Sequence, residues 1–575
     1  MLASPRALAR PGLDLIEDAM TVTNTRARKE VALTELSALP ATTHPWAALM
    51  SRDDVILEDG FLRLVHDDVT PENAMQADLE FVADVLERAG VALTLVRDER
   101  LRPVIVVDGA LRALAIDALA ASAATEPFYA KVRQTGPEPL FEMAAPDPVV
   151  SAVTLFRPRV SRNGSLRYGA EFGVRLEFWR FGGKTVEAPR ANALTRRIIA
   201  TQDLAFTTVE RYGRTWRALE GMFDRHPREV TDDIDMVFSW VDGSSSEFQR
   251  QRALQMQEYV VGEGDDGDTR YRHVDELRYA LRSVHMYAPW VRRIFIATDS
   301  ERPAWLADHP KVTVVRSEEF FADPTVLPTH NSHAVESQLH RIDGLAEHFL
   351  YSNDDMFFGR PVTPELFFTS GGLSTFVEAP VRIGVGPARL HRSGHDNGLR
   401  VNRNLLRQRF GRIITRDLQH CAAPMRRSVA AELEREFADD YVRTAASRFR
   451  SATDISVTNS LYHYYALLTG RALPTTQPRV QYIQTTLRES LGQMEKLLER
   501  RNVDMFCLND GSTPEIPEEV RVPVLRATLE RYYPIRAPWE LEAAELTGVV
   551  ADTAPGRLSA APGWAPSAGR SAARS

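Results

Sequence analysis

Cysteine is almost absent: Cys421 and Cys507 are the only two in 575 residues. That excludes a disulfide framework, and their separation fits no metal-ligand spacing. A reducing compartment is the expectation. Long apolar runs are also missing; none reaches the ~18 residues of a membrane-spanning helix. The opening MLASPRALARPGLDLIEDAM is broken by Pro5 and Pro11 and has no continuous apolar core, so no signal peptide is expected. Excess positive charge is lacking too, because the net charge is -8 and arginine far outnumbers lysine. No nucleic-acid footprint results. What is present is 44% hydrophobic and 26% charged residues, the composition of a soluble globular chain. The length suits about three or four domains. The expected place is the cytoplasm or the inner face of the membrane, with no transmembrane segment and any membrane association peripheral.

The most informative stretch is Tyr351-Ser352-Asn353-Asp354-Asp355-Met356-Phe357-Phe358-Gly359. His348-Phe349-Leu350 before it has the composition of a short buried strand. Two acids then arrive where a strand must end, because Asp is disfavoured in strand interiors. Ligands of open α/β sheets bind beyond the carboxyl ends of strands. Two carboxylates there suit a hard divalent cation that also holds phosphates. The plainer reading is a solvated Asp-Asp turn.

Residues 1–50 show no strong period and are expected to be a loosely ordered arm. A helix is predicted over 75–89, strands over 91–98 and 102–109, and a second helix over 111–124. Residues 149–161 and 168–183 read as antiparallel strands. This 51–228 region shows no catalytic constellation; a structural or acceptor-binding role is expected. After a boundary at Pro227–Thr231, Met236-Val237-Phe238 reads as a buried strand. Trp240, Asp242, Gly243 and Ser244 make the loop after it, suited to a nucleotide or to an ordinary turn. The Gly/Asp-rich 258–273 segment lacks the calcium-loop pattern. Strands and helices then alternate up to Asn353, so 229–370 is expected to be a Rossmann-like half of an α/β core. Residues 371–545 read as an arginine-rich, mainly helical half, and 546–575 as a disordered tail. Within 394–420, arginines interleave with Asn397, Asn402 and Asn404, a pattern that suits either a solvated face or a polyanion-binding cleft.

IDMVFSWVDGS, the run RYRHVDELRYALRSVHMYAPWVRRIFIATD and LPTHNSHAVESQLHRIDGLAEHFLYSNDDMFFG resemble the first two signature regions of the Stealth family. LQHCAAPMRRSVAAELEREF through SRFRSATDIS resembles the third, and CLNDG with LERYYPIRAPWE the fourth. The resemblance spans roughly 232–540 and leaves 1–230 outside it. It implies a sugar-1-phosphate transferase of capsule or exopolysaccharide biosynthesis. Such an enzyme moves a hexose-1-phosphate from a UDP-sugar to a glycan hydroxyl, forms a phosphodiester and releases UMP.

Carried over to this sequence, the family's acidic centre matches Glu336 and Asp355. Its histidine matches His420 and its arginine Arg450, with Arg448 the alternative. Asp235 to Ser244 falls at the nucleotide position. Asp354, Asp355 and Asp510 are the implied ligands of a divalent metal, Mg or Mn. Arg403 is a second candidate phosphate contact. His420 and Glu336 both remain open as the base. The alternatives are a metal-dependent glycosyltransferase releasing UDP, and a non-catalytic glycan-binding module.

Overall fold

The computed structural model describes residues 46–132, 136–143, 150–243, 274–511 and 514–541. The expected arm, apart from the short helix Trp46–Met50, and the expected tail lie outside these residues. So do Ser244 and the 258–273 segment.

The N-terminal region is a mixed sheet with helices against it. Helix α1 (Pro71–Arg88) begins at Thr70, whose side chain accepts from the Asn73 amide, and buries Leu79, Val82 and Leu86. Strands β1 (Leu93–Arg97) and β2 (Pro103–Asp108) pair antiparallel. Helix α2 (Arg112–Ser122) follows, then β3 (Ala152–Phe156) and β4 (Val174–Phe181). Strands β5 (Phe206–Arg211) and β6 (Arg214–Leu219) form a hairpin whose second strand joins β1. The expected all-antiparallel arrangement of 149–183 is corrected: β4 pairs antiparallel with β3 but parallel with β2. Its continuous burial over Leu176–Trp179 fits a strand covered on both faces.

The second sheet holds the chemistry. Its strands are β7 (Ile234–Ser239), β8 (Ile294–Ala297), β9 (Val312–Val315) and β10 (His348–Asn353). They lie in the order β9-β8-β7-β10, all parallel. Five of the six residues of β7 are buried, as expected for a central parallel strand. The first strand therefore has the second on one side and the fourth on the other, the Rossmann-like switch point. Helix α3 (Glu276–Tyr287) lies between β7 and β8 in the chain and buries Leu277, Leu281 and Val284. Its Arg278 and Arg282 both reach the buried carboxylate of Glu540, at 2.6 and 2.7 Å.

Residues after 371 complete the same core. Helix α4 (Ser332–Gln338) precedes β10, and β11 (Met356–Phe358) follows it. Helix α5 (Gly394–Phe410) runs to β12 (Ala423–Arg426), which pairs antiparallel with β10. Helices α6 (Arg427–Glu436) and α7 (Ala438–Ala445) come next, then a π-helical turn Val457–Leu461 and α8 (Tyr462–Leu468). Strand β13 (Val480–Gln484), α9 (Glu489–Arg500), β14 (Met505–Asn509) and α10 (Glu518–Tyr532) end the fold. Strand β14 pairs antiparallel with β11 and parallel with β13.

The N-terminal region is packed onto this core. Leu166 and Tyr168 share one buried cluster with Ile234, Tyr287 and Tyr532. No helix among the described residues is long and apolar enough to cross a membrane.

Candidate active site at the switch point

Strands β7 and β10 run in register, with Ser239 beside Asn353 at their carboxyl ends. The Tyr351 hydroxyl bridges them, 2.8 Å from Ser239 Oγ and donating to Asn353 Oδ1 at 2.7 Å. The chain then turns at Asp354 and Asp355, both partly exposed. Trp240 continues from β7 with its amide on Ala297 O, and the Asp242 amide donates to Ser300 Oγ at 2.8 Å. The Trp240–Gly243 segment thus lies at the ligand edge of the sheet.

Glu336 comes to this edge from α4 and is only 3% exposed. Thr458, on the π-helical turn, donates to its Oε2 at 2.6 Å. Ser332 and Tyr351 hydroxyls and the Arg450 charge also face it. Burial nevertheless pushes the Glu336 carboxyl above its ordinary value, the desolvation of a charge outweighing those hydrogen bonds. Arg450 donates to Ser332 Oγ at 2.7 Å, which assigns the arginine beside Glu336 to Arg450 rather than Arg448. The Arg448 carbonyl accepts the His330 amide at 2.8 Å.

Two features hold the Arg450 loop, one against α4 and one against α5. Asn331 caps α4 by accepting from the His333 amide, and donates to Asp454 Oδ2 at 2.8 Å. Gly394 is the second: a Cβ there would lie 2.6 Å from the Arg450 side chain. Only glycine lets α5 start this close to Arg450.

His395 follows directly. Its Nε2 lies 2.9 Å from Asp417 Oδ2. Burial raises the Asp417 carboxyl, but the bond and charge of His395 outweigh it and hold it below the ordinary value. The His395 ring is 6.0 Å from that of His420, which in turn meets the Tyr482 ring edge-on at 5.2 Å. Burial, with the His395 charge adding to it, pushes His420 down to about 4. His420 is therefore neutral at pH 7. Asn509 donates to the Tyr482 hydroxyl at 2.7 Å, and Tyr482 also feels Asp355 and Asp510. On β14, the Cys507 thiol donates to Asp355 Oδ2 at 3.5 Å.

Several expected assignments change. Asp235 sits at the start of β7, away from the ligand edge, and is fully buried. Arg292 clamps both its oxygens, at 2.9 and 2.6 Å, and the Ala346 amide adds a third bond. It is a structural carboxylate and not a nucleotide contact. Arg403 lies eight residues beyond His395 on α5, about 12 Å along the axis. Its guanidinium donates to Gly386 O at 3.3 Å, so it is not drawn to the acidic pair. Asn397 and Asn402 are buried and bond Arg389 and Ser456 backbone, so they line no polyanion cleft. The three-carboxylate metal set is also not preassembled: among the described residues no three His, Cys, Asp or Glu side chains converge to hold a metal. Asp510 accepts from Thr485 Oγ1 and faces the buried Arg521 at 3.6 Å.

Sequence reasoning missed Tyr351, His395, Asp417, Thr458, Tyr482 and Cys507. The His395–Asp417 pair has the one recoverable signal, a helix-start histidine and a strand acid on either side of an arginine-rich helix. The others are set by tertiary contact.

Three family models match the chain: Stealth protein conserved region 2 over residues 270–376, region 3 over 419–467 and region 4 over 495–548. The exopolysaccharide phosphotransferase CpsY of Mycobacterium tuberculosis is 51% identical over 499 residues, covering 86% of this chain and 93% of that protein. The chain belongs to the Stealth family. An exopolysaccharide phosphotransferase of Nocardia farcinica is 53% identical over 464 residues, 81% of this chain and 87% of the relative. At 86% coverage the CpsY match runs well into the N-terminal region, which the expected resemblance had left out. The galactosyltransferase LgtC, solved with donor and acceptor sugar analogs, is 13% identical with a TM-score of 0.29 over 55% of this chain and 99% of its own. That likeness is too slight to bear on function. The Stealth matches contain Glu336, Asp355, His420, Arg450 and Asp510.

Proposed function

We propose that the chain is an exopolysaccharide phosphotransferase that moves a sugar-1-phosphate from a UDP-sugar to a hydroxyl of a glycan, releasing UMP. The observation that carries this reading is the meeting of Asp355, Glu336, Arg450 and the His395–His420 pair around one switch point. Phosphoryl transfer asks little covalent chemistry of a protein; it asks for position and charge neutralisation. Arg450 is the planar fork that suits a transferring phosphoryl group.

A divalent cation fits the two adjacent carboxylates Asp354 and Asp355, because Mg²⁺ is commonly held by one or two carboxylates plus substrate phosphates. Such an ion supplies neutralisation of diphosphate charge. Asp510, already engaged by Thr485, is the weakest of the three expected ligands. His395, oriented by Asp417, is the general base for the acceptor hydroxyl. Its partner carboxylate fixes the tautomer, as in other His–Asp pairs. His420, neutral at pH 7, positions the donor by hydrogen bonding. Glu336 holds the Arg450–Tyr351 arrangement.

The test follows the phosphorus. UDP-sugar labelled at the β-phosphorus is supplied with a polysaccharide fragment and a divalent metal. Label should enter the glycan while UMP accumulates in step. Release of UDP with the label left on the nucleotide makes the protein a glycosyltransferase instead. Binding of glycan with no nucleotide release leaves only a binding module.

A further inference from the structure

A large concavity lies away from the switch point. It has a volume of about 1730 Å³ and is walled by the N-terminal region on one side and the core on the other. That exceeds the roughly 300–1,000 Å³ of small-molecule sites and suits a polymer segment. Gly359 and Asp504 line it, at the far ends of β11 and β14 from Asp355 and Asp510. Four residue steps along the strand separate Asp355 from Gly359, about 13 Å. The cleft is therefore not the catalytic edge.

Its walls are fixed. Leu166 and Tyr168 from the N-terminal side are buried with Tyr287 and Tyr532 from the core. Arg501 also donates across the junction to Ser165 O at 3.2 Å.

Its lining selects a chemistry. Arg100 and Arg102, from the β1–β2 turn, face the cleft from one side; Arg500 and Arg531 face it from the ends of α9 and α10. None of the four has an ion-pair partner among the described residues. Glu72, Glu171, Glu495, Glu499 and Glu530 line the same space and likewise carry no ion pair among those residues. A polyanion would meet at least five carboxylates, and a polycation at least four guanidinium groups. A neutral, hydroxyl-rich chain satisfies both, since each hydroxyl accepts from a guanidinium and donates to a carboxylate.

We infer that this cleft is an anchoring site for a neutral oligosaccharide segment of the acceptor. This rests on the reading that the acceptor is a glycan. An anchored segment keeps the reactive end at high effective concentration near the catalytic edge, so long acceptors gain and short ones do not.

The test uses the full chain. Size-graded neutral glucan, galactan and mannan oligosaccharides are titrated by calorimetry against wild type, Arg100→Glu/Arg102→Glu and Arg500→Glu/Arg531→Glu. At least one ladder should bind, with affinity rising with length and little sensitivity to salt. Each double variant, taken from opposite walls, should lose tenfold or more of that affinity and keep its UDP-sugar affinity and melting temperature. The inference is overturned if no ladder binds wild type, or if both variants bind like wild type. It is also overturned if only a sulfated or phosphorylated glycan binds, with steep salt dependence. Failure of the labelled-phosphorus test with cleft binding intact would sink the proposed reaction alone; the reverse pattern would sink only the anchoring site.

Discussion

The thiol of Cys507 donates to Oδ2 of Asp355 at 3.5 Å, while the next amide along, Leu508 N, donates to the Asp355 carbonyl at 3.0 Å. One strand thus holds both the backbone and the carboxylate of the acid at the centre of the site. Burial, then the neighbouring Asp355 charge, pushes the Cys507 thiol well above its ordinary value. It remains an S–H donor at neutral pH and not a thiolate that would repel the acid.

Cys507→Ser keeps a donor in place, and Cys507→Ala removes it. A hydrogen bond to a charged group is worth about 1.5–3 kcal/mol, less for a thiol. Cys507→Ala should therefore lose about tenfold in turnover while Cys507→Ser stays near wild type. Melting curves taken alongside separate this from misfolding. Equal loss in the two variants would show that size alone matters there.

Asp355→Asn preserves shape and removes the charge that the Cys507 thiol meets and that the proposed cation would need. Turnover should disappear with the melting temperature held. Normal activity would remove the Asn353–Asp355 turn from the catalytic centre.

Glu336 is pushed upward mainly by burial. Glu336→Gln should not lower the melting temperature, because burial favours the uncharged form. If the ionised form supports turnover, the wild-type rate falls on the acid side at a pH above the ordinary glutamate value. That limb should vanish in Glu336→Gln. An unchanged acid limb in the variant would assign it to another group.

Four histidines, His66, His285, His420 and His463, are each lowered to about 4, chiefly by burial. Each binds a proton more readily in the unfolded chain. Their contribution to stability is present above about pH 6.5 and is lost as pH falls toward 4. Glu336 and Asp454, both raised, act with the opposite sign. His66 is 8% exposed and stacks on Tyr168 at 5.2 Å. His66→Phe should flatten the fall of melting temperature between pH 6.5 and 4.5, by up to ~1.4 kcal/mol of stability per pH unit. A parallel pair of curves would contradict the lowered value.

Local pattern carried much of the fold. The runs IDMVFS and HFLYSN are strands because their apolar and aromatic residues suit a sheet covered on both faces. What pattern could not carry was partnership across the chain. Asp235 falls at the nucleotide position through the family resemblance; its burial by Arg292 and the Ala346 amide depends on contacts 57 and 111 residues away. Asn397 and Asn402 read as ligand groups because exposed asparagines among arginines suit a polyanion. In the fold they are spent on backbone carbonyls and amides. Asp355 stands out by its place beside Asp354 at a strand end, and Glu336 through the family resemblance. The Thr458 hydroxyl that bonds Glu336 comes from 122 residues away and had no local signature.

The choice of base can be decided by two histidines that lie 6.0 Å apart. General bases work best with a pKa near the operating pH. His420, pushed down to about 4, is available at pH 7 but has little drive to take a proton. His395 has Asp417 at 2.9 Å to orient its ring. It also follows Gly394, which packs closely on Arg450, and so stands between Arg450 and His420. His395→Ala should lower kcat by about 10²–10⁴ with donor affinity kept, the range for a positioned general base. Added imidazole should restore part of that loss. Asp417→Asn should lower kcat less, because the ring loses the partner that orients it. His420→Ala should act on donor affinity and gain nothing from imidazole. If instead His420→Ala loses kcat alone and is the variant that imidazole rescues, His420 is the base and the His395–Asp417 pair is structural.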